Sequence, residues 1–138
     1  MRFMVIVKAS KDSEAGVMPS TALLTAMGRF NEAMVKASVM VAGEGLHPTS
    51  KGARIKYSGK TPGVSHGPFP VTGDLIAGFW LIQVKSLDEA IDWMKRAPFS
   101  GGDEIEIRQV FDADDFGEAL TPELREQEQR LRAQAGQR

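Results

Sequence analysis

Histidine is the side chain best suited to moving a proton near neutral pH, and this chain of 138 residues has two, His47 and His66. Both fall at or near turns flanking a stretch without an acid. Residues 46–73 hold Lys51, Arg54, Lys56 and Lys60 and neither Asp nor Glu. A carboxylate stands at each border, Glu44 before the stretch and Asp74 after it. A histidine beside a carboxylate is a minimal acid–base device, because the carboxylate orients the imidazole and accepts its proton. The candidate arrangement makes His66 the base or acid and Glu44 or Asp74 its orienter. Arg54 would hold negative charge on a ligand, and His47, Phe69 and Trp80 would complete the ligand contacts. Glu44 is notable for lying between Gly43 and Gly45, which permit a sharp turn and close approach of a ligand.

Each feature has a plainer counterpart. The histidines can be two exposed loop residues, and Glu44 can bond the amides of its own turn. The basic stretch can be a solvated hairpin whose charges keep an edge strand from aggregating. Phe69, Phe79 and Trp80 can be core or interface. A metal held by His47 and His66 with Glu44 or Asp74 matches no known ligand spacing, so no metal is expected. With no cysteine, thiolate zinc sites, iron–sulfur ligation and cysteine nucleophiles are excluded. The sequence has no phosphate loop, dinucleotide fingerprint or serine elbow, and no cofactor is expected.

The composition, 42% hydrophobic and 25% charged, is that of an ordinary globular domain. The length suits one domain able to bury roughly two thirds of its unfolded surface. The net charge of −1 supplies no global positive field to gather phosphates, which argues against nucleic acid as a partner. The first apolar run is five residues, Phe3 to Val7, too short for a signal-peptide core or a membrane span. Together with the absence of cysteine it points to a cytoplasmic protein with no membrane partner.

The elements that must position these residues follow from periodicity. Residues 2–8 read as a buried strand, and residues 9–19 as a loop. Ser20 or Thr21 caps a helix to about residue 38, on which Leu23, Met27, Phe30 and Met34 form an apolar stripe. Residues 39–42 read as a strand ended by Gly43-Glu44-Gly45. A hairpin follows, with a short strand at 53–57 and a turn at Ser58-Gly59-Lys60, and His66-Gly67-Pro68-Phe69-Pro70 is a rigid turn. Residues 75–84 read as a strand apolar on both faces, Leu75, Ala77, Phe79 and Leu81 on one and Ile76, Gly78, Trp80, Ile82 and Val84 on the other. Ser86 or Asp88 opens a second helix with Leu87, Ile91 and Met94 inward, stopped by Pro98. Residues 104–111 form a half-exposed strand. The order predicts an α+β, ferredoxin-like βαββαβ domain over residues 1–111, a four-stranded antiparallel sheet with both helices on one face and a hairpin insertion. Residues 112–138 form a charged extension with seven acids and four bases. Thr121-Pro122-Glu123 starts a helix there whose only large apolar residues are Leu124 and Leu131. Helices cover one side of a small sheet, so the second apolar face of residues 75–84 calls for a partner subunit.

At Val41-Ala42-Gly43-Glu44-Gly45-Leu46 and at His66-Gly67-Pro68-Phe69 the sequence resembles the YCII-related family, more closely its DGPF branch. The likeness covers about residues 1–111. It implies a ferredoxin-like fold pairing into a dimeric α/β barrel, and a cleft between sheet and helices. Related domains include lactone isomerases and a dehydrochlorinase acting on small ring compounds, and other DGPF proteins are associated with alternative sigma factors. The diagnostic Asp-Gly-Pro-Phe turn here carries His66 in place of its Asp, with Val71 and Gly73 at its Glu and Lys positions. Taken with the residues, the resemblance implies a homodimer that binds a small molecule. Its chemistry would be cofactor-free proton transfer, isomerisation or elimination, on a small cyclic or anionic compound. The alternative is a non-catalytic regulatory or partner-binding module.

Overall fold

The computed structural model describes residues 1–136. Four strands make the principal sheet: β1 (Arg2–Lys8), β2 (Met40–Gly45), β5 (Ile76–Gln83) and β6 (Ile105–Gln109), in the order β2-β5-β1-β6. Every neighbouring pair is antiparallel. Helices α2 (Thr21–Lys36) and α3 (Leu87–Met94) are the crossovers. A second, two-stranded sheet, β3 (Ala53–Lys56) and β4 (Gly63–His66), is the hairpin insertion. This is the expected ferredoxin-like α+β topology, followed by helix α4 (Pro122–Gly136).

Both crossover helices start where a serine can satisfy an orphan amide. The Ser20 hydroxyl accepts from the Leu23 amide at 3.1 Å, and the Ser86 hydroxyl from Glu89 at 3.1 Å. They cover one face of the sheet, where Phe30, Met34, Ala90 and Met94 pack with Phe3, Val5, Trp80 and Ile82 in one buried cluster. Trp80 is the hub of its aromatic part. Phe30 and Phe99 meet it edge-on at 5.7 and 6.0 Å, and its indole N–H donates to Asn31 Oδ1 at 2.9 Å. The inward side of α3 differs from expectation: Ala90 and Met94 are buried, whereas Leu87 is exposed. The helix ends at Met94, four residues before Pro98.

Two further expectations need correction. Residues 9–19 are not wholly loop, because Lys11–Glu14 form one helical turn, α1. Ser10 and Ser13 cap each other reciprocally and hold it. Gly43-Glu44-Gly45 does not end β2 but continues it, pairing with Trp80, Phe79 and Gly78. Gly43 serves packing, not a turn, and so does Gly78 on the facing strand. A Cβ on Gly43 would lie 2.7 Å from Trp80 Cδ1 and 2.8 Å from Met40 Cε, and one on Gly78 would lie 2.8 Å from the Glu44 carbonyl oxygen.

The other face of the sheet carries Ala42 and Glu44 on β2, Phe79 and Leu81 on β5, Met4 and Ile6 on β1, and Glu106 and Arg108 on β6, as the pairing register requires. The need for cover that the sequence assigns to a partner is met in part by the chain itself. The extension after β6 overhangs the β1–β6 half, where Met4, Ile6 and Arg108 face Phe111, Phe116, Leu120 and Arg132 across a cavity of about 560 Å³. Phe111 and Phe116 stack at 5.1 Å, and Arg125 pairs with Asp114 at 3.1 Å. Leu124 and Leu131 of α4 remain exposed. Among the described residues no helix is long and apolar enough to cross a membrane.

Candidate functional site

At one place on the surface, apolar side chains are left in the open beside polar ones. Val17, Met18, Leu23 and Leu46 are all exposed, Met18 by 80%. All four line one cleft of about 630 Å³, together with His47, Pro48, Ala77 and the polar Ser10, Asp12 and Ser13. A cleft of that volume, mostly apolar with a few polar groups, has the character of a small-molecule site.

Three segments build it. The 10–19 segment, with α1, forms one wall. Leu23, in the first turn of α2, forms the back. It belongs to the stripe that continues as Met27, Phe30 and Met34, but it reaches beyond the core and is 39% exposed. The end of β2 and the turn after it bring Gly45, Leu46, His47 and Pro48. The Leu46 amide donates to the Ala77 carbonyl at 2.8 Å, which keeps this turn against β5. His47 is the titratable ring of the cleft, and Asp12 the carboxylate. No hydrogen bond or ion pair engages the imidazole of either histidine among the described residues.

The residues singled out from sequence do not converge. His66 is an exposed strand residue of β4 paired with Ala53, not a turn residue as expected. Glu44 points to the open sheet face beside Phe79. Asp74 is exposed, and its amide donates a long bond of 3.4 Å to the Thr72 hydroxyl oxygen. None of the three lines the His47 cleft, and no ion pair joins His66 to either carboxylate among the described residues. Arg54 and Phe69 do meet, with the guanidinium 3.9 Å over the ring, so the expected charge anchor is stacked on the expected aromatic contact, away from the cleft. Trp80 lies in the core, 5% exposed with its N–H satisfied, and cannot offer a ring face to a ligand there. Of the expected set, His47 alone lines the cleft.

The residues that sequence reasoning missed are Glu14 and Thr49. The Glu14 carboxylate accepts from the Thr49 amide at 3.0 Å and from the Thr49 hydroxyl at 2.6 Å. The same hydroxyl oxygen accepts from the Phe69 amide at 3.0 Å. Gly67 fits directly against the Thr49 carbonyl, in space a Cβ would occupy. Nothing in the local sequence marks a contact 35 residues long. Among the described residues no group of three or more His, Asp or Glu is placed to hold a metal.

The YCII-related domain model matches residues 1–114, and the chain belongs to that family. A stretch of 50 residues is 40% identical to an uncharacterised protein of Rhizobium meliloti, covering 36% of this chain and 40% of that relative's length. A solved structure, 5-chloro-2-hydroxyhydroquinone dehydrochlorinase from Burkholderia phenoliruptrix in complex with 2,5-dihydroxybenzoquinone, superposes with a TM-score of 0.38 at 16% identity. That superposition covers 81% of this chain and 96% of that one.

Proposed function

We propose that this member of the YCII-related family binds a small, largely apolar ring compound bearing a polar or anionic group, and that the ligand sits in the His47 cleft. The observation that carries the reading is the convergence of four exposed apolar side chains from three chain segments around one imidazole. Monomeric proteins rarely leave such a cluster in the open without a use for it. His47 is the group to transfer a proton: it takes one from a carbon or hydroxyl of the ligand and returns it elsewhere. Such a step isomerises the compound, or eliminates a leaving group, with no oxidant or cofactor in the balance. The chemistry expected from sequence is thereby kept, and its base moves from His66 to His47. The sheet face left bare beside the extension, with Phe79, Leu81 and Ala42, supports pairing with a second copy of the chain.

The test is a thermal-shift panel of phenols and aromatic carboxylates, salicylate among them, on the wild-type chain and His47→Ala. A ligand at a hundred times its dissociation constant stabilises the fold by about 2.7 kcal/mol, which such a panel detects. Stabilisation in the wild type that falls sharply in His47→Ala supports the site. A panel without a response, or responses equal in both chains, refutes it.

A further inference from the structure

We propose that Glu14 is a positioning residue for His47, a latch that ties one wall of the cleft to the other. The inference rests on the reading of that cleft as the ligand site. Glu14 is the last residue of α1, whose reciprocal serine cap fixes the turn on which it sits. Its carboxylate reaches across to the turn carrying His47 and takes both the amide and the hydroxyl proton of Thr49, two residues further on. The hydroxyl has one proton, given to Glu14, so its oxygen is free to accept from the Phe69 amide. The result is a directed chain, Phe69 to Thr49 to Glu14, with every donor assigned. Bonds from neutral donors to a carboxylate are the stronger and shorter kind, and the 2.6 Å contact is of that kind.

Two features separate a latch from general scaffolding. Among the described residues, these are the only hydrogen bonds joining the 9–19 segment to the 46–70 segment. Further, Glu14, Thr49 and Phe69 all lie outside the buried core cluster. Removing the latch therefore frees the two cleft walls from each other while leaving the sheet and its helices packed. The exposed apolar side chains of the 10–19 wall, Val17 and Met18, would then lose their fixed relation to His47.

The experiment uses the full chain, with two histidines whose ring signals are separable by His47→Ala. Ring spectra, amide exchange and core methyl spectra are recorded for the wild type, Glu14→Ala, Thr49→Val and Thr49→Ser. The expected result in Glu14→Ala and Thr49→Val is a displaced or broadened His47 ring signal, and in Thr49→Val, which removes the acceptor of the Phe69 amide, also roughly ten-fold faster exchange of that amide, the size of losing one bond. The Val5 and Ile82 methyl signals should stay in place. Thr49→Ser keeps the hydroxyl and should match the wild type. An unmoved His47 ring in both disrupting variants overturns the proposal. So does Thr49→Ser behaving as Thr49→Val, or a loss of core methyl dispersion in both, which would make the contact a fold requirement. Salicylate is added last. If it leaves the wild-type His47 signal in place, the ligand reading fails, while the latch is judged on the ligand-free spectra.

Discussion

Replacing Trp80 with phenylalanine separates a core role from a ligand-stacking role. Trp80 is 5% exposed, wedged edge-on between Phe30 and Phe99, and its N–H is bonded to Asn31 Oδ1. Phenylalanine removes the pyrrole edge, roughly 40 Å³ of filled volume, which at about 24 cal/mol per Å³ of residual cavity costs about 1 kcal/mol. Loss of the indole hydrogen bond adds about 1 kcal/mol, because Asn31 is only half buried and water can partly replace the donor. The expected destabilisation is about 2 kcal/mol, a fall in Tm of roughly 7 °C for a chain of this size. Denaturant titration gives the free energy, and an unchanged m-value shows that the folded and unfolded states remain comparable. Affinity for any ligand of the His47 cleft should stay the same. A Trp80→Phe chain as stable as the wild type, or one that keeps its stability and loses ligand, would refute this assignment.

Other consequences are equally specific. Gly43→Ala forces a methyl against Trp80 and Met40, and overpacking should cost about 1–3 kcal/mol in denaturant titration. Arg54→Ala removes an exposed cation–π contact with Phe69 and should cost no more than about 1 kcal/mol, leaving ligand binding intact. Gly67→Ala places a Cβ on the Thr49 carbonyl, so hydrogen exchange should show the Phe69 and Gly67 amides losing protection together. A chain ending at residue 111 should still fold, because the core cluster is built from residues 3 to 107. Its circular dichroism should keep the sheet signal, and it should expose the Met4 and Ile6 face to a hydrophobic dye.

Much of the frame was legible because periodicity and capping are local. The stripe from Leu23 to Met34, the serines at 20 and 86 and the Thr121-Pro122 start each carry their own signal. The Thr121 hydroxyl does accept from the Leu124 amide at 3.2 Å. Glycines were harder to read. Gly43 and Gly45 resemble a turn in sequence, yet both lie within β2, where Gly43 makes room for the Trp80 side chain, and it is Gly78 on β5 that permits the close approach of the two strands. The same misreading moved Glu44 from a supposed cleft to the open sheet face. His66 drew attention by residue type and by the turn that follows it, but strand pairing with Ala53 fixes it on the exposed hairpin. His47 becomes a candidate only in three dimensions, where Leu23, Leu46 and the 10–19 segment meet around it. The contact of Glu14 with Thr49 has no periodic trace at all. The double apolar face of β5 was correctly read, while its partial cover by the chain's own extension depends on where residues 111–132 fold back.

The central claim is that the His47 cleft is the ligand site. The most direct measurement is a titration of the full chain with salicylate, or the strongest compound of the panel, followed by carbon–proton spectra of histidine rings and methyl groups. Saturable shifts are expected for the His47 ring and for the Ala77, Leu23 and Leu46 methyls, with His66 and the core methyls of Val5 and Ile82 unmoved. Shifts centred on His66 and the hairpin, or on Met4 and Ile6 under the extension, would contradict it.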